Sequence, residues 1–219
     1  MKTAVRVPPL VTLAVGVLLW YVPTLVERLA RLPGDRGLNF DVVLPARWFA
    51  AALLLAFVLT VERRPLSSVG VRIPRVRDVL VTVGLSVLAL VVGVVLYGFV
   101  VGAGPDQGSQ SGQIMAGLSI AGSLHLIANA AVVEELFYRG LLMERIIDLT
   151  GRPWAAALVS YVLFVGGHVP GSGWATTLTM VAVGSLLLVG LYWMFRDLLL
   201  CAGAHAIFNL PILAGALAG

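Results

Sequence analysis

The sequence predicts an all-α fold, a polytopic transmembrane helical bundle of about seven spans. Hydrophobic residues make up 59% of the 219 residues, charged residues only 12%, and the mean hydropathy is +0.98. Because soluble domains carry about 25% charged residues, this composition excludes an ordinary soluble domain. One span needs about 20 apolar residues, so the chain has room for roughly six to eight spans in a single integral membrane domain over 1–219.

Apolar segments recur along the whole chain and are separated by charged or polar residues. They cover residues 8–26, 46–61, 78–101, 116–147, 153–167, 173–195 and 198–217. The first is similar to a signal peptide, but Trp20, Tyr21 and Pro23 lead into a charged stretch without a clear small-residue cleavage site. We therefore expect it to be a retained first helix.

The fourth segment is too long for one bilayer crossing, since about 20 residues suffice. Its last part carries Arg139, Glu144, Arg145 and Asp148. We therefore expect this end of the helix to project into water. The polar stretch 104–113, which precedes the segment, predicts a flexible loop.

The basic residues predict a cytoplasmic N-terminus and an external C-terminus. Leaving Arg139 aside, the cytoplasmic segments on that assignment hold ten Lys and Arg residues, and the external segments hold four, namely Arg28, Arg31, Arg36 and Arg47. Short cytoplasmic loops are enriched in Lys and Arg. The net charge of +4 is thus topogenic, and no nucleic-acid partner is expected.

Three polar clusters interrupt the late apolar segments. Ionisable residues within a span are costly and usually face the bundle interior, so each cluster indicates function. The clusters are Glu134-Glu135-x-x-Tyr138-Arg139, Phe164-x-x-x-His168 and His205-x-x-x-Asn209.

The two adjacent glutamates are expected to have different roles, because neighbouring residues in an α-helix lie about 100° apart. Glu135 and Arg139 are four residues apart, with the acid on the N-terminal side, which favours an ion pair. Glu134 then has no cation on its own helix and is the candidate general base. Tyr138 shares the face of Glu134 and is a candidate hydrogen-bond donor to it.

Helical rise predicts that the first two clusters meet. Glu134 lies 15 residues before Leu149, and His168 lies 15 residues after Pro153. At about 1.5 Å per residue, an antiparallel helix pair brings both to a similar height above the turn. His205 lies about two helical turns after the loop that precedes its own helix, so it is expected somewhat lower. The site is therefore expected in the cytoplasmic half of the bilayer.

Residues that break helices surround His168 and predict irregular backbone there. They are Gly166, Gly167, Pro170, Gly171 and Gly173. Irregular backbone at membrane depth is tolerated where it lines a watery cavity. We therefore expect such a cavity beside His168.

A hydrolytic reaction fits these residue types. Glu134, aided by His168, would hold and deprotonate a water that attacks a peptide carbonyl. His205 and Asn209 are four residues apart and share a helix face. They would stabilise the oxyanion, a role for which Asn is a known donor.

In their order along successive late helices, the three motifs resemble those of the CPBP family, which includes the type II CAAX prenyl proteases and the bacteriocin-processing or Abi proteins. The motifs cover about 134–209, and the family core would cover about 116–217. The resemblance implies an intramembrane endopeptidase with a catalytic centre at Glu134, His168, His205 and Asn209. Glu135, Arg139 and Phe164 match supporting positions of the motifs.

The resemblance leaves the cofactor and the substrate open. The family was once described as metal-dependent and is now usually seen as glutamate-based, so no cofactor is expected. Zinc held by Glu134, His168 and His205 stays an alternative. The expected partner is a membrane-associated peptide or protein, with a lipidated tail, a leader, a bacteriocin and a C-terminal sorting tail all open.

Other interpretations of the same residues stay open. Glu134 would then pair with a distant arginine, His168 would cap a helix, and His205 and Asn209 would form an interhelical hydrogen bond. A non-catalytic immunity or scaffold protein would suit that pattern, and a proton-linked transporter is a further alternative.

Two further residues are placed outside the site. His125 lies nine residues before Glu134, about half a turn off in direction, so we expect a structural or interfacial role. Cys201 is the single cysteine, which excludes an internal disulfide and a Cys-rich metal site. We expect it to serve in packing.

Overall fold

The computed structural model describes residues 7–30, 39–102 and 117–218 and confirms the all-α class. It is 88% helical, and the described ranges contain no strand. The predicted flexible loop at 104–113 lies outside the described residues. The helices are α1 Pro9–Ala30, α2 Phe40–Thr60, α3 Val76–Val101, α4 Ile120–Thr150, α5 Pro153–Thr176, α6 with its first turn at Thr177–Val181 and its body at Ala182–Phe195, α7 Leu198–Phe208 and α8 Leu210–Ala218.

In the described part of the chain, five helices are long and apolar enough to cross a membrane, and a shorter apolar helix, Leu198–Ala214, follows them. The count differs from the seven predicted segments because α5 and α6 form one helical run of 43 residues. That run breaks at Gly173 (φ 73°, ψ 168°), a conformation that glycine adopts without a Cβ penalty. Ala156 and Leu188 lie in one buried cluster on either side of the break, so the chain reverses there.

The backbone around His168 is more regular than the sequence predicts. The helix continues through Gly166, Gly167 and Pro170, and only Gly173 has non-helical dihedral angles. The predicted irregular backbone is therefore confirmed at Gly173 and wrong for the four other residues named with it, which lie closer to His168. The reason is that glycine only weakens a helix, whereas the reversal needs one residue with positive φ.

The middle of α4 is wound more widely than an α-helix. Ala130–Glu134 and Leu136–Met143 are π-helical, with i→i+5 hydrogen bonds. More residues per turn means a smaller angle between neighbouring side chains. Glu134 and Glu135 therefore lie closer in direction than the 100° of a regular helix implies.

The charged side chains at the end of α4 form ion pairs with residues of other elements. The expectation that this end projects into water is therefore wrong for its buried residues. Arg145 is 0% exposed and makes two hydrogen bonds to Glu62, from Nη2 to Oε2 at 2.6 Å and from Nε to Oε1 at 3.1 Å. Glu144 accepts from Arg196 at 2.6 Å. Asp148 is exposed and pairs with Arg64. These pairs tie α4 to the segment after α2 and to the end of α6.

The Arg145–Glu62 pair gives a stability prediction. Arg145→Met should lower the free energy of unfolding by about 3–5 kcal/mol, because it leaves a buried carboxylate without its cation. Arg64→Met is the matched control, since its pair with Asp148 is about one third exposed on both sides (32% and 32%). That change should cost about 0–1 kcal/mol. Unfolding in mixed micelles, followed by circular dichroism, measures both, and equal losses would contradict the prediction.

Candidate active site

All four residues expected in the catalytic centre line one cavity of about 370 Å³. The cavity lies between α2, α4, α5, α6, the end of α7 and the start of α8. Its polar wall consists of Arg47, Glu134, His168, Ser172, Thr176, Ser185, His205 and Asn209. Apolar side chains, including Phe164, Met180 and Phe208, form the rest of the wall. The structure thus brings the three motifs to a single space inside the bundle.

The two oxygens of Glu134 have different surroundings. Oε1 accepts a hydrogen bond from Nη1 of Arg47 at 3.1 Å. Oε2 is buried without a described hydrogen-bond partner and lies 3.9 Å from Nε2 of His168. The expected proximity of Glu134 and His168 is therefore confirmed. Pairing with a distant arginine, which the sequence left as an alternative, is what the structure has at Oε1.

The contact at the other ring nitrogen of His168 determines which of the two nitrogens carries the hydrogen. Nδ1 lies 2.7 Å from the carbonyl oxygen of Phe164, one helical turn earlier. A carbonyl oxygen only accepts, so Nδ1 carries the hydrogen. In the neutral ring, Nε2 then presents a lone pair towards Oε2 of Glu134. The Phe164 ring packs on the His168 ring, with centroids 4.5 Å apart, and fixes its orientation.

Glu135 forms the expected ion pair and also binds the third motif. Its Oε1 accepts from Nη1 of Arg139 at 2.9 Å and lies 2.8 Å from Nδ1 of His205. Both Glu135 and Arg139 are 0% exposed. Arg139 donates through Nη2 to Oγ of Ser185 at 3.2 Å. Glu135 thus sets the orientation of His205, whose Nε2 remains for the cavity.

Aromatic rings support these polar groups. The guanidinium of Arg139 lies 4.5 Å from the centroid of the Phe164 ring, in a cation–π contact. Tyr138 packs edge-to-face against Phe164 at 5.0 Å and against Trp20 at 5.2 Å. The described hydrogen bonds do not include one from Tyr138 to Glu134. Tyr138 and Phe164 therefore contribute to the site through packing.

Asn209 is placed by the end of α7. The helix ends at Phe208, and Asn209 follows in a non-helical conformation (φ −91°, ψ 0°). Its backbone nitrogen donates to the carbonyl of His205 at 3.0 Å. The start of the same helix is fixed by Asp197, which accepts from the nitrogens of Leu199 and Leu200. His205 and Asn209 therefore reach the cavity from one short helix with both ends defined.

Arg47 is the site residue that sequence reasoning missed. The charge pattern predicts an external topogenic arginine, whereas the structure places Arg47 inside α2, where its guanidinium donates to Glu134. No motif indicates the pair, because 87 positions separate the two residues. The available signal was the position of Arg47 itself, seven residues after Phe40 within an apolar helix.

His125 and Cys201 lie away from the cavity wall. Nε1 of Trp48 donates to Nε2 of His125 at 3.1 Å, which joins α2 to α4 outside the bundle core. Cys201 is fully buried and its thiol lies 3.6 Å from the carbonyl oxygen of Leu188. Neither residue lines the cavity.

The atoms that could coordinate a metal ion bear on the zinc alternative. Nε2 of His168, Nε2 of His205 and Oε2 of Glu134 have lone pairs that the described hydrogen bonds do not use. Within the described ranges, no three His, Cys, Asp or Glu side chains are grouped so that they could hold a metal ion. Zinc held by Glu134, His168 and His205 therefore stays the alternative that metal analysis and chelation decide.

Comparison with known proteins finds a family model that matches the segment carrying this site. Residues 116–211 match the family model described as type II CAAX prenyl endopeptidase Rce1-like. The match contains all three motifs and confirms the predicted CPBP resemblance. This is a protease family, which supports a peptidase acting on a membrane-associated protein substrate. The apolar helices and the family together support a membrane location. No curated protein and no solved structure gave a match.

The hydrogen-bond partners predict the tautomers of the three histidines. His168 and His205 each donate from Nδ1 to an oxygen, and His125 accepts at Nε2 from Trp48. All three neutral rings should therefore carry the hydrogen on Nδ1. Nitrogen-15 NMR of histidine-labelled protein in micelles, at a pH where the rings are neutral, measures this. Trp48→Phe removes the donor to His125, so it should change the tautomer of that ring alone. An Nε2-bound hydrogen on His168 would contradict the assigned geometry.

Proposed function

We propose that this protein is an intramembrane endopeptidase that hydrolyses a peptide bond with a glutamate-activated water. The observation that carries the proposal is the 3.9 Å separation of Glu134 Oε2 and His168 Nε2 at the wall of the cavity. This separation is too long for a direct hydrogen bond. A gap above about 3.5 Å between polar groups suits a bridging water.

Both groups facing this gap accept hydrogen bonds. A water bound there donates one hydrogen to Oε2 of Glu134 and the other to the Nε2 lone pair of His168. Its own lone pair is then directed away from both groups, towards a peptide carbonyl in the cavity. Glu134 takes the proton as the water attacks, and it returns that proton to the leaving amine.

His205 and Asn209, which line the same cavity, supply the oxyanion donors. Asn209 donates through its side-chain amide. His205 already donates from Nδ1 to Glu135, so its Nε2 carries a hydrogen only in the imidazolium form. In this role His205 therefore acts as the cation, held by the Glu135 carboxylate. Arg139 keeps that carboxylate in place.

The orientation and the substrate belong to the same proposal. The N-terminus is cytoplasmic, the C-terminus is external, and the site lies in the cytoplasmic half of the bilayer. Moving Arg47 from a loop into α2 leaves three arginines on the external side, which strengthens the charge asymmetry. The substrate is a membrane-associated peptide or protein, lipidated or carrying a C-terminal sorting tail, that reaches the cavity from the membrane.

Substitutions in the catalytic centre test the proposal. Glu134→Gln and His168→Ala should each lower kcat by about 10²–10⁴-fold, because each removes a proton acceptor for the water. Asn209→Ala should lower kcat by about 10²–10³-fold through loss of an oxyanion donor. The assay compares membrane peptides by mass spectrometry after incubation with purified protein in liposomes.

His125→Ala is the matched control, because this histidine lies outside the cavity, and it should retain activity. Circular dichroism and thermal unfolding check that each variant is folded. Undiminished cleavage by folded Glu134→Gln would refute the assignment of the base. If the effect of the gene on its host cell survives all three site substitutions, a non-catalytic immunity or scaffold protein is favoured instead.

The metal question has its own test. The proposed reaction uses no metal ion, so cleavage should be unchanged after dialysis against a strong chelator. Metal analysis of the same purified sample accompanies the assay. Stoichiometric zinc together with loss of activity in chelator would replace the glutamate base by a zinc-bound water.

A further inference from the structure

Arg47 differs from the other two arginines described in buried ion pairs. Arg139 and Arg145 are 0% exposed, and each makes several hydrogen bonds. The Arg47 side chain is 27% exposed, and its described hydrogen bond is the single one to Glu134, at 3.1 Å. A guanidinium has five N–H donors, so most of the donor capacity of Arg47 is not used by the described contacts.

Arg47 also has space on two sides. It lines the catalytic cavity of about 370 Å³, and it borders a smaller cleft of about 20 Å³ between α1, α2 and α4. Its guanidinium lies 5.4 Å from the centroid of the Trp20 ring, which supports the planar group without using its donors. The contact with Trp20 therefore leaves the donors of the guanidinium free to bind a ligand in the cavity.

The charged residues of the cavity wall indicate which ligand the guanidinium of Arg47 would bind in the cavity. Arg47 and Glu134 are the Arg and Glu of the described wall, and each is the ion-pair partner of the other. While this pair persists, Oε1 of Glu134 is occupied. A guanidinium fork matches a carboxylate in two parallel hydrogen bonds, which is more than the single bond it makes to Glu134.

We propose that Arg47 binds a carboxylate of the substrate, and that this binding transfers the guanidinium from Glu134 to the ligand. The proposal rests on the proposed peptidase function, because it places a peptide in the cavity. The carboxylate is either the C-terminal carboxylate of the peptide or an Asp or Glu side chain. Arg47 is then a specificity residue, and its transfer frees Oε1 of Glu134 when a matching substrate is bound.

Peptide binding tests this inference without requiring cleavage. The parent protein is His168→Ala, which retains both Arg47 and Glu134. The probe is a short fluorescein-labelled peptide of Ala and Leu in detergent micelles, with either a free C-terminal carboxylate or a C-terminal amide. A second pair of amidated peptides carries Asp or Asn at one position and reports the side-chain source. Fluorescence anisotropy gives each Kd.

The carboxylate peptide of one pair should bind about 10–100-fold more tightly than its neutral partner, as expected for hydrogen bonds to a charged group. Adding Arg47→Gln should abolish the difference, Arg47→Lys should retain part of it, and the remote control Arg64→Gln should leave it intact. Which pair shows the preference identifies the source of the carboxylate.

Equal binding of both members in both pairs, including the absence of binding, would overturn the inference and leave Arg47 as the counterion of Glu134 alone. A preference that persists in folded Arg47→Gln would overturn it as well. Failure of the peptidase proposal is seen separately, as undiminished cleavage by Glu134→Gln.

Discussion

The buried Glu135–Arg139 ion pair connects the helices that form the site. Glu135 reaches His205 on α7, while Arg139 reaches Ser185 on α6 and the Phe164 ring on α5. Both partners are 0% exposed, and removing either leaves an uncompensated charge among apolar side chains. The four helices must therefore meet at this pair in one arrangement. That arrangement sets the cavity and the direction of His205.

The same pair determines what its neighbour Glu134 does. Glu135 is committed to the bundle interior, and Glu134, the residue before it on α4, lines the adjacent cavity. There one carboxylate oxygen is held by Arg47 and the other faces His168. Two buried glutamates at consecutive positions thus have different partners, and Glu134 is the one that lines the cavity.

Local patterns in the sequence predicted much of this site. The i,i+4 spacing gave the Glu135–Arg139 pair, and helical rise placed Glu134 and His168 at one height, as the structure has them. These predictions succeeded because they depend on geometry within one helix or across one turn. The role of Glu135 in orienting His205 depends on how α4 and α7 pack, and no spacing within one helix encodes that contact.

The remaining differences have two origins, contacts between distant helices and the conformation of a single glycine. The Arg47–Glu134 pair joins helices that are distant in sequence, so no local period indicates it. The reversal at Gly173 rests on one positive φ among several glycines that remain helical. The charges at the end of α4 suggest exposure to water when α4 is considered alone. They are compensated by Glu62, Arg64 and Arg196 once the other elements are packed.

The central claim is that Glu134 and His168 act on the same water, and a double-mutant cycle tests it most directly. The cycle compares kcat/KM of the parent, Glu134→Gln, His168→Ala and the double variant on one cleaved peptide. If both residues serve one water, the double variant should be little slower than the slower single variant, because the first change already removes the shared step. Losses that multiply would show that the two residues act independently and would contradict this account.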